Sequence, residues 1–212
     1  MEISYMRNRK NGLLVVLSAV SGAGKTTVVN ELIKRDDSFV RSVSCTTRPR
    51  HGNEVEGVDY FFVSEKEFRD MIKKRMFLEY QSVHSYLYGT PKRFVFDMLD
   101  EGKNVILVID TKGGLNIKRA FSDSILVFML PPSLSELIKR LDIRGRESLS
   151  EREKRIRNGK EELRDAFKYD YIIVNDRVDR AVDDIKAIVR SNQLVARKNR
   201  EKLLEIIKEY GV

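Results

Sequence analysis

Apolar residues are gathered along this chain in short runs set between longer amphipathic stretches. "GLLVVLS" (12–18), "NVILVID" (104–110), "SILVFML" (124–130) and "DYIIVND" (170–176) are brief, apolar and rich in valine, leucine and isoleucine, the pattern of buried strands. Segments of helical spacing separate them, beginning with 25–35. Such alternation predicts a mostly parallel sheet covered on both faces, an α/β fold. The helix starts carry chemical marks. "SEKE" at Ser64, "SLSE" at Ser133 and "SERE" at Ser150 each place glutamate three residues after serine, a capping-box pattern. Thr90-Pro91 reads as an N-cap followed by proline at the first helical position.

"VDYFFV" (58–63) alternates in part, as a strand with one wetter face does. Residues 42–91 therefore read as an insertion with a small mixed sheet of its own. Residues 144–160 are almost wholly polar with mixed charge, which fits a solvated surface helix or a lid that closes over phosphates. The tail, 192–212, resumes helical periodicity through Leu203, Leu204, Ile206, Ile207 and Tyr210.

Composition narrows the classes. The 212 residues, 42% apolar and 34% charged, describe a globular chain of one domain with room for a core. No apolar run approaches the roughly 18 residues of a membrane span. The first residues lack the apolar segment of a secretory signal, so export is not expected. One cysteine excludes an intrachain disulfide framework and agrees with a reducing, cytoplasmic setting; with two histidines it also leaves no structural zinc set. The net charge of +8 fits either a nucleic-acid surface or basic side chains converging on a small polyanion. No zinc-finger spacing or single-strand aromatic motif supports the first, and small phosphoryl substrates account for the excess, so neither a nucleic acid nor a membrane is expected as partner.

The turn after the first strand gives the polyanion a place. "AVSGAGKTT" comprises Ala19, Val20, Ser21, Gly22, Ala23, Gly24, Lys25, Thr26 and Thr27. It follows a buried strand and opens a helix, the context of a phosphate-binding P-loop. Backbone N–H groups of this turn cradle phosphate oxygens, with Gly22 and Gly24 supplying the unusual backbone angles. Lys25 reaches the β- and γ-phosphates and the Thr26 hydroxyl is a ligand for magnesium. Downstream, "SVSCTTRPRHGNEVEGVDYFF" packs Arg48, Arg50 and His51 among hydroxyls and an aromatic. Arginine forks match phosphate oxygens bidentately, so this segment is the candidate site for the phosphate of a nucleoside monophosphate.

"SGAGKTT", "SVSCTTR", "EVEGVDYFFV", "FLEY", "YGTP", "LPPS", "KRLDIRGR" and "IVND", in this order, resemble the guanylate kinases, P-loop enzymes that phosphorylate GMP with ATP. The resemblance spans residue 13 to about 190. It implies a P-loop NTPase fold with core segments 1–41, 92–138 and 158–212, a GMP-binding insertion at 42–91 and a helical lid at 139–157. It also implies ATP-dependent phosphorylation of GMP to GDP, and in the same way of dGMP, with Mg2+. By the same resemblance Ser44 and Arg48 meet GMP, with Arg50 beside them. Tyr60 and Tyr88 hydrogen-bond the GMP phosphate, and Glu79 and Thr90 read the guanine edge. A carboxylate suits that task because guanine presents a donor pair, N1–H and the 2-amino group, that adenine lacks. Asp110 is placed to meet the guanine site or order the magnesium shell. Arg140, Arg144 and Arg155 match lid arginines that neutralise the transferring phosphoryl, and Asn175 matches a position near the adenine of ATP.

The sequence departs from the family pattern at several points. Ala19 stands for the first P-loop glycine and Val20 for the proline that commonly follows. "RPRHGNE" lacks a spacer and gains Asn53, so that His51 competes by strict count with Arg50. Val108 replaces a common acidic residue and Lys112 a usual glutamine. Two other readings remain at this point: a P-loop kinase for another phosphorylated small molecule such as ribose bisphosphate, and a non-catalytic guanylate-kinase-like module that binds a phosphorylated segment.

Overall fold

The computed structural model describes residues 12–83, 85–143 and 159–211, with the backbone alone for 140–143. Its centre is a five-stranded sheet in the order β2-β7-β1-β8-β9, formed by Phe39–Arg41, Asn104–Val108, Leu14–Ala19, Ile125–Leu130 and Tyr171–Val174. Every pairing in it is parallel. β1 lies in the middle, flanked by β7 and β8. The chain leaves β1 at the crevice where open parallel sheets bind ligands.

Alternation along β1 assigns its two faces. Leu13, Val15, Leu17 and Ala19 join one buried cluster with Val28, Val29, Leu32, Val182 and Ile185. These partners come from α1 (Lys25–Arg35) and α7 (Val178–Gln193). Leu14 and Val16 face the other way and pack with Val95, Leu99 and Ile117, from α3 (Lys92–Asp100) and α4 (Thr111–Ala120). The sheet is thus a two-sided core, as its near-continuous apolar strands required.

A second sheet of four strands, in the order β4-β3-β6-β5, is built from Phe61–Phe62, Cys45–Thr46, Tyr86–Pro91 and Phe77–Val83. It is mixed: β3 and β4 are parallel, while β6 is antiparallel to both β3 and β5. Its small core is Cys45, Phe68 and Phe77, with Phe68, from α2 (Glu65–Lys73), stacked on Phe77 at 4.5 Å between ring centroids.

Three local expectations change. β2 is a core strand that hydropathy alone does not announce, because "FVR" is three residues long and takes its register from β7. The expected strand over 58–63 contracts to Phe61–Phe62, since Tyr60 instead makes an isolated bridge to Glu56. Thr90 does not cap α3. It ends inside β6, the N-cap position falls on Pro91 with no side-chain hydrogen bond, and the Thr90 hydroxyl is engaged elsewhere. The Ser64 box is complete, with Ser64 accepting from Glu67 N–H and the Glu67 carboxylate accepting in return. Ser133 accepts the Glu136 N–H at 3.1 Å, at the start of α5 (Leu134–Ile143); Ser150 lies outside the described residues.

The tail forms a short 3-10 turn, Ala196–Lys198, and α8, Arg200–Glu209. α8 buries none of its residues. Among the described residues no helix is long and apolar enough to cross a membrane.

Candidate functional site

The phosphate loop is assembled by β1 below and α1 behind. Gly22 and Gly24 have φ of 91° and 96°, in the left-handed region where a side chain costs about 1 kcal/mol or more. Gly24 is the N-cap of α1, and Ala23 N–H closes the turn onto the Val20 carbonyl at 3.1 Å. The first N–H groups of α1, at Lys25, Thr26 and Thr27, have no carbonyl one turn earlier in the helix to bond. They and the positive end of the helix dipole make the loop an anion site. Ala19 is the last residue of β1 and buried. Among the described residues only Arg75 and Ser85 combine a side chain with positive φ, so Ala19 occupies backbone where glycine has no advantage.

The loop is pinned from several sides. Lys25 Nζ donates to the Ala19 carbonyl at 2.8 Å. Asn175, buried just beyond β9, donates to the Ala23 carbonyl at 2.7 Å. Beneath it, Ser18 donates to the Ile109 carbonyl at 2.8 Å and accepts from the Tyr169 hydroxyl at 2.7 Å. Asp110 caps α4, accepting the Gly113 N–H at 2.7 Å. Thr111 donates to Asp165 at 3.0 Å.

Glu79 and Thr90 belong to the second sheet, on β5 and β6. The β5–β6 pairing shifts register between Phe77 and Tyr80, and Glu79 falls in that irregularity, where a bulge re-aims a side chain. Thr90 Oγ1 donates to Glu79 Oε1 at 2.8 Å. A Cβ on Gly113 would sit 3.0 Å from Glu79 Oε2 and 3.3 Å from Asp110 Oδ1. The two carboxylates therefore converge on a space only a glycine leaves open. Burial pushes the Glu79 carboxyl up to about 7; the Thr90 hydroxyl opposes this and the Asp110 charge adds to it.

A second cluster gathers Arg48, Tyr60 and Tyr88. Tyr60 and Tyr88 meet edge-on with centroids 5.9 Å apart. The Arg48 guanidinium lies 5.3 Å from the Tyr60 ring centroid and hydrogen-bonds the Tyr88 side chain. Glu54 holds Arg48 by an ion pair of 2.7 Å and also accepts the His51 backbone N–H at 2.9 Å. Ser44 is half-buried beside them, its carbonyl accepting from Phe61 N–H at 2.9 Å. Arg50 and His51 are both exposed on the following turn. Arg140 lies in α5, and Arg144 and Arg155 lie outside the described residues.

Sequence reasoning missed Glu54, Ser18, Glu162 and Tyr169. Glu54 looked like one acid in a charged loop. Glu162, Asp165 and Tyr169 recur at helical spacing, but polar residues around them conceal it; on α6 (159–166) Glu162 and Asp165 share a face with buried Gly159 and Ala166, and Tyr169 follows just beyond the helix.

The family model described as guanylate kinase matches residues 11–192. The chain is 44% identical over 204 residues to "Guanylate kinase" of Caldanaerobacter subterraneus subsp. tengcongensis, covering 96% of this chain and 99% of that one. It is 41% identical over 192 residues to "Guanylate kinase" of Thermotoga maritima, covering 91% and 93%. The crystal structure of guanylate kinase from Anaplasma phagocytophilum superposes with a TM-score of 0.77 at 31% identity, over 93% of this chain and 95% of that one.

Proposed function

The chain belongs to the guanylate kinase family, and from that premise we propose how its own residues carry ATP-dependent phosphorylation of GMP to GDP. The observation that supports the reading is a chain of contacts through Asp110: Ser18, at the foot of the anion loop, donates to the Asp110 carbonyl at 3.3 Å, and a Cβ on Gly113 would meet both the Asp110 carboxylate and the half-buried Glu79 carboxylate. A sugar bisphosphate offers hydroxyls but no paired N–H edge for Glu79 to read. A binding-only module has no use for Lys25 and Thr26 in a formed phosphate loop.

ATP binds with its phosphates on the loop, the backbone N–H groups and Lys25 meeting their oxygens. Lys25 leaves the Ala19 carbonyl to do so. GMP lies against the second sheet. Glu79 accepts from guanine N1–H and the 2-amino group, Thr90 fixes the carboxylate, and Arg48, Tyr60, Tyr88 and Ser44 hold the phosphate, with Arg50 at its margin. Asp110 adds negative charge at the donor edge of the base. Asn175 acts on the ATP side by fixing the Ala23 carbonyl, and so the loop itself. dGMP presents the same base edge and the same phosphate, and is proposed as a second acceptor.

Among the described residues no group of three histidine, cysteine, aspartate or glutamate side chains is placed to hold a metal. That suits magnesium, which enters such sites with the substrate phosphates and few protein ligands. Thr26, exposed at the first turn of α1, is the residue to ligate it. When bound, magnesium neutralises charge on the β- and γ-phosphates.

The acceptor oxygen of GMP is already anionic at neutral pH, so no general base is required. The obstacle is repulsion between two polyanions. Lys25 and the lid arginines Arg140, Arg144 and Arg155 lower it by stabilising charge spread over the transferring group, and positioning does the rest. A buried free Cys45, its thiol pushed up to about 11 by burial, suits a reducing cytoplasm. Steady-state turnover of MgATP with GMP, dGMP, AMP, UMP and ribose bisphosphate tests the reading. GMP must be the preferred acceptor, and preference for ribose bisphosphate would overturn it.

A further inference from the structure

We propose that Glu162 is a positioning residue for the phosphoryl transfer, holding the Ser21–Lys25 loop from α6 in the shape that receives the nucleotide phosphates. This rests on the reading above that the loop binds ATP.

Glu162 belongs to the face of α6 that turns inward. Gly159 and Ala166 on that face are buried, while Lys160, Glu161, Leu163, Arg164 and Phe167 are exposed. The face lies against the phosphate loop and its floor: a Cβ on Gly159 would lie 3.8 Å from Val20 Cγ1, Asp165 accepts from Thr111 at 3.0 Å, and Tyr169, just beyond the helix, donates to Ser18. In the middle of this row the Glu162 carboxylate accepts the Ser21 backbone N–H and faces the Lys25 ammonium. Its Oε2 is fully covered and has no hydrogen-bond partner among the described residues.

A buried carboxylate oxygen without a partner is costly, and one placed beside a site for polyphosphate adds repulsion. Burial raises the Glu162 carboxyl above its ordinary range, and Lys25 and the Ser21 N–H pull it back. The side chain is therefore poorly placed as a stabiliser of the fold. Its geometry suits a different task. Through the Ser21 N–H it fixes the first half of the loop, ahead of the glycines. Through its charge it attracts the Lys25 ammonium, which also donates to the Ala19 carbonyl at 2.8 Å. Both constraints limit where Lys25 travels when phosphates arrive. Asn175 fixes the other half of the loop at Ala23, so the turn is clamped from two elements.

The test is steady-state kinetics of Glu162→Gln and Glu162→Ala with ATP and GMP varied separately. Glutamine keeps the size and an acceptor for Ser21 but removes the charge, whereas alanine removes both. The expected result is a fall in kcat of about three- to tenfold for glutamine and about thirtyfold or more for alanine, with KM for GMP within about twofold of wild type, because the interaction acts on the transition state rather than on acceptor binding. Unchanged kcat in the glutamine variant would overturn the inference. So would a loss spread equally over kcat and both KM values with a lowered Tm, the mark of a merely structural side chain. If alanine prevents folding, glutamine decides alone. Wild-type transfer to GMP is measured first: its absence overturns the ATP–GMP reading, and with it this inference, whereas normal wild-type transfer with an undiminished glutamine variant overturns this inference only.

Discussion

Thr90 Oγ1 donates a hydrogen bond of 2.8 Å to Glu79 Oε1, joining neighbouring strands of the second sheet at the point where their register shifts. Thr90 is fully buried, so one carboxylate oxygen is held in place and Oε2 faces the opening at Gly113. In the proposed function that geometry reads a pair of N–H donors. A charge-assisted hydrogen bond is worth about 1.5–3 kcal/mol. Glu79→Gln is therefore expected to cut the kcat/KM preference for GMP over AMP by about 10- to 150-fold, since an amide cannot accept from both donors. Parallel assays with the two acceptors check this, and an unchanged ratio would move the guanine reader elsewhere.

Glu79 also sets a pH dependence. Burial pushes its carboxyl up to about 7 from an ordinary 4.5, and only the ionised form accepts from guanine N1–H and the 2-amino group together. KM for GMP should rise as pH falls below 7, by up to about tenfold per unit once the proton is bound, and Glu79→Gln should lose this dependence. The stability sign is the reverse. A carboxyl raised above its unfolded value contributes most below 4.5, and that contribution is lost as pH rises through 7. Unliganded Glu79→Gln should thus melt above wild type at pH 8, with the gap narrowing toward acid. Thermal melts from pH 5 to 8 follow it.

In the proposed function Arg48, rather than the exposed arginine of the turn, is the central holder of the acceptor phosphate. Glu54 holds it at 2.7 Å and Tyr60 and Tyr88 flank it. Arg48→Ala should raise KM for GMP by about 100-fold, the scale of a buried-partner charge pair. Arg50→Ala should raise it less, yet more than His51→Ala, because a guanidinium keeps its charge at neutral pH and a histidine largely does not. Initial-rate kinetics of the three variants rank them; His51 above Arg50 would show that strict spacing gives the alignment.

Ala19→Gly should change kcat by less than about threefold, under ~1 kcal/mol. The methyl group stands at the end of β1, buried and without positive φ, so restoring glycine relieves no strain. It adds freedom to the unfolded chain and should lower stability by about 0.4–1 kcal/mol. A gain of tenfold or more in kcat would mean that the natural loop is impaired. Denaturation and saturating-substrate turnover of the same pair give both numbers.

The core was legible where pattern and chemistry coincide. Leu14–Ala19, Asn104–Val108 and Ile125–Leu130 are apolar enough to be buried wherever they pair, and "SGAGKTT" fixes a turn by its glycines. Legibility failed where a neighbour decides. Phe39–Arg41 is a strand because β7 offers it an edge. Thr90-Pro91 has the local chemistry of a helix start, yet strand pairing and the Glu79 carboxylate claim Thr90 first. Glu162 was hidden for a related reason: its meaning lies in Ser21 and Lys25, far away in sequence, and its own surroundings are those of a solvated helix.

The most direct measurement follows the γ-phosphoryl group itself. ATP labelled at the γ-phosphorus is mixed with GMP and magnesium, and the products are separated for wild type and for Lys25→Ala. Label should appear in GDP, one equivalent for each ADP formed, with little in inorganic phosphate. Lys25→Ala should fold normally and lose transfer by about a thousandfold or more, on the scale of a lost charge clamp on a transferring phosphoryl. Label released as inorganic phosphate while GMP stays unmodified, or transfer undiminished in Lys25→Ala, would contradict direct transfer between the two sites.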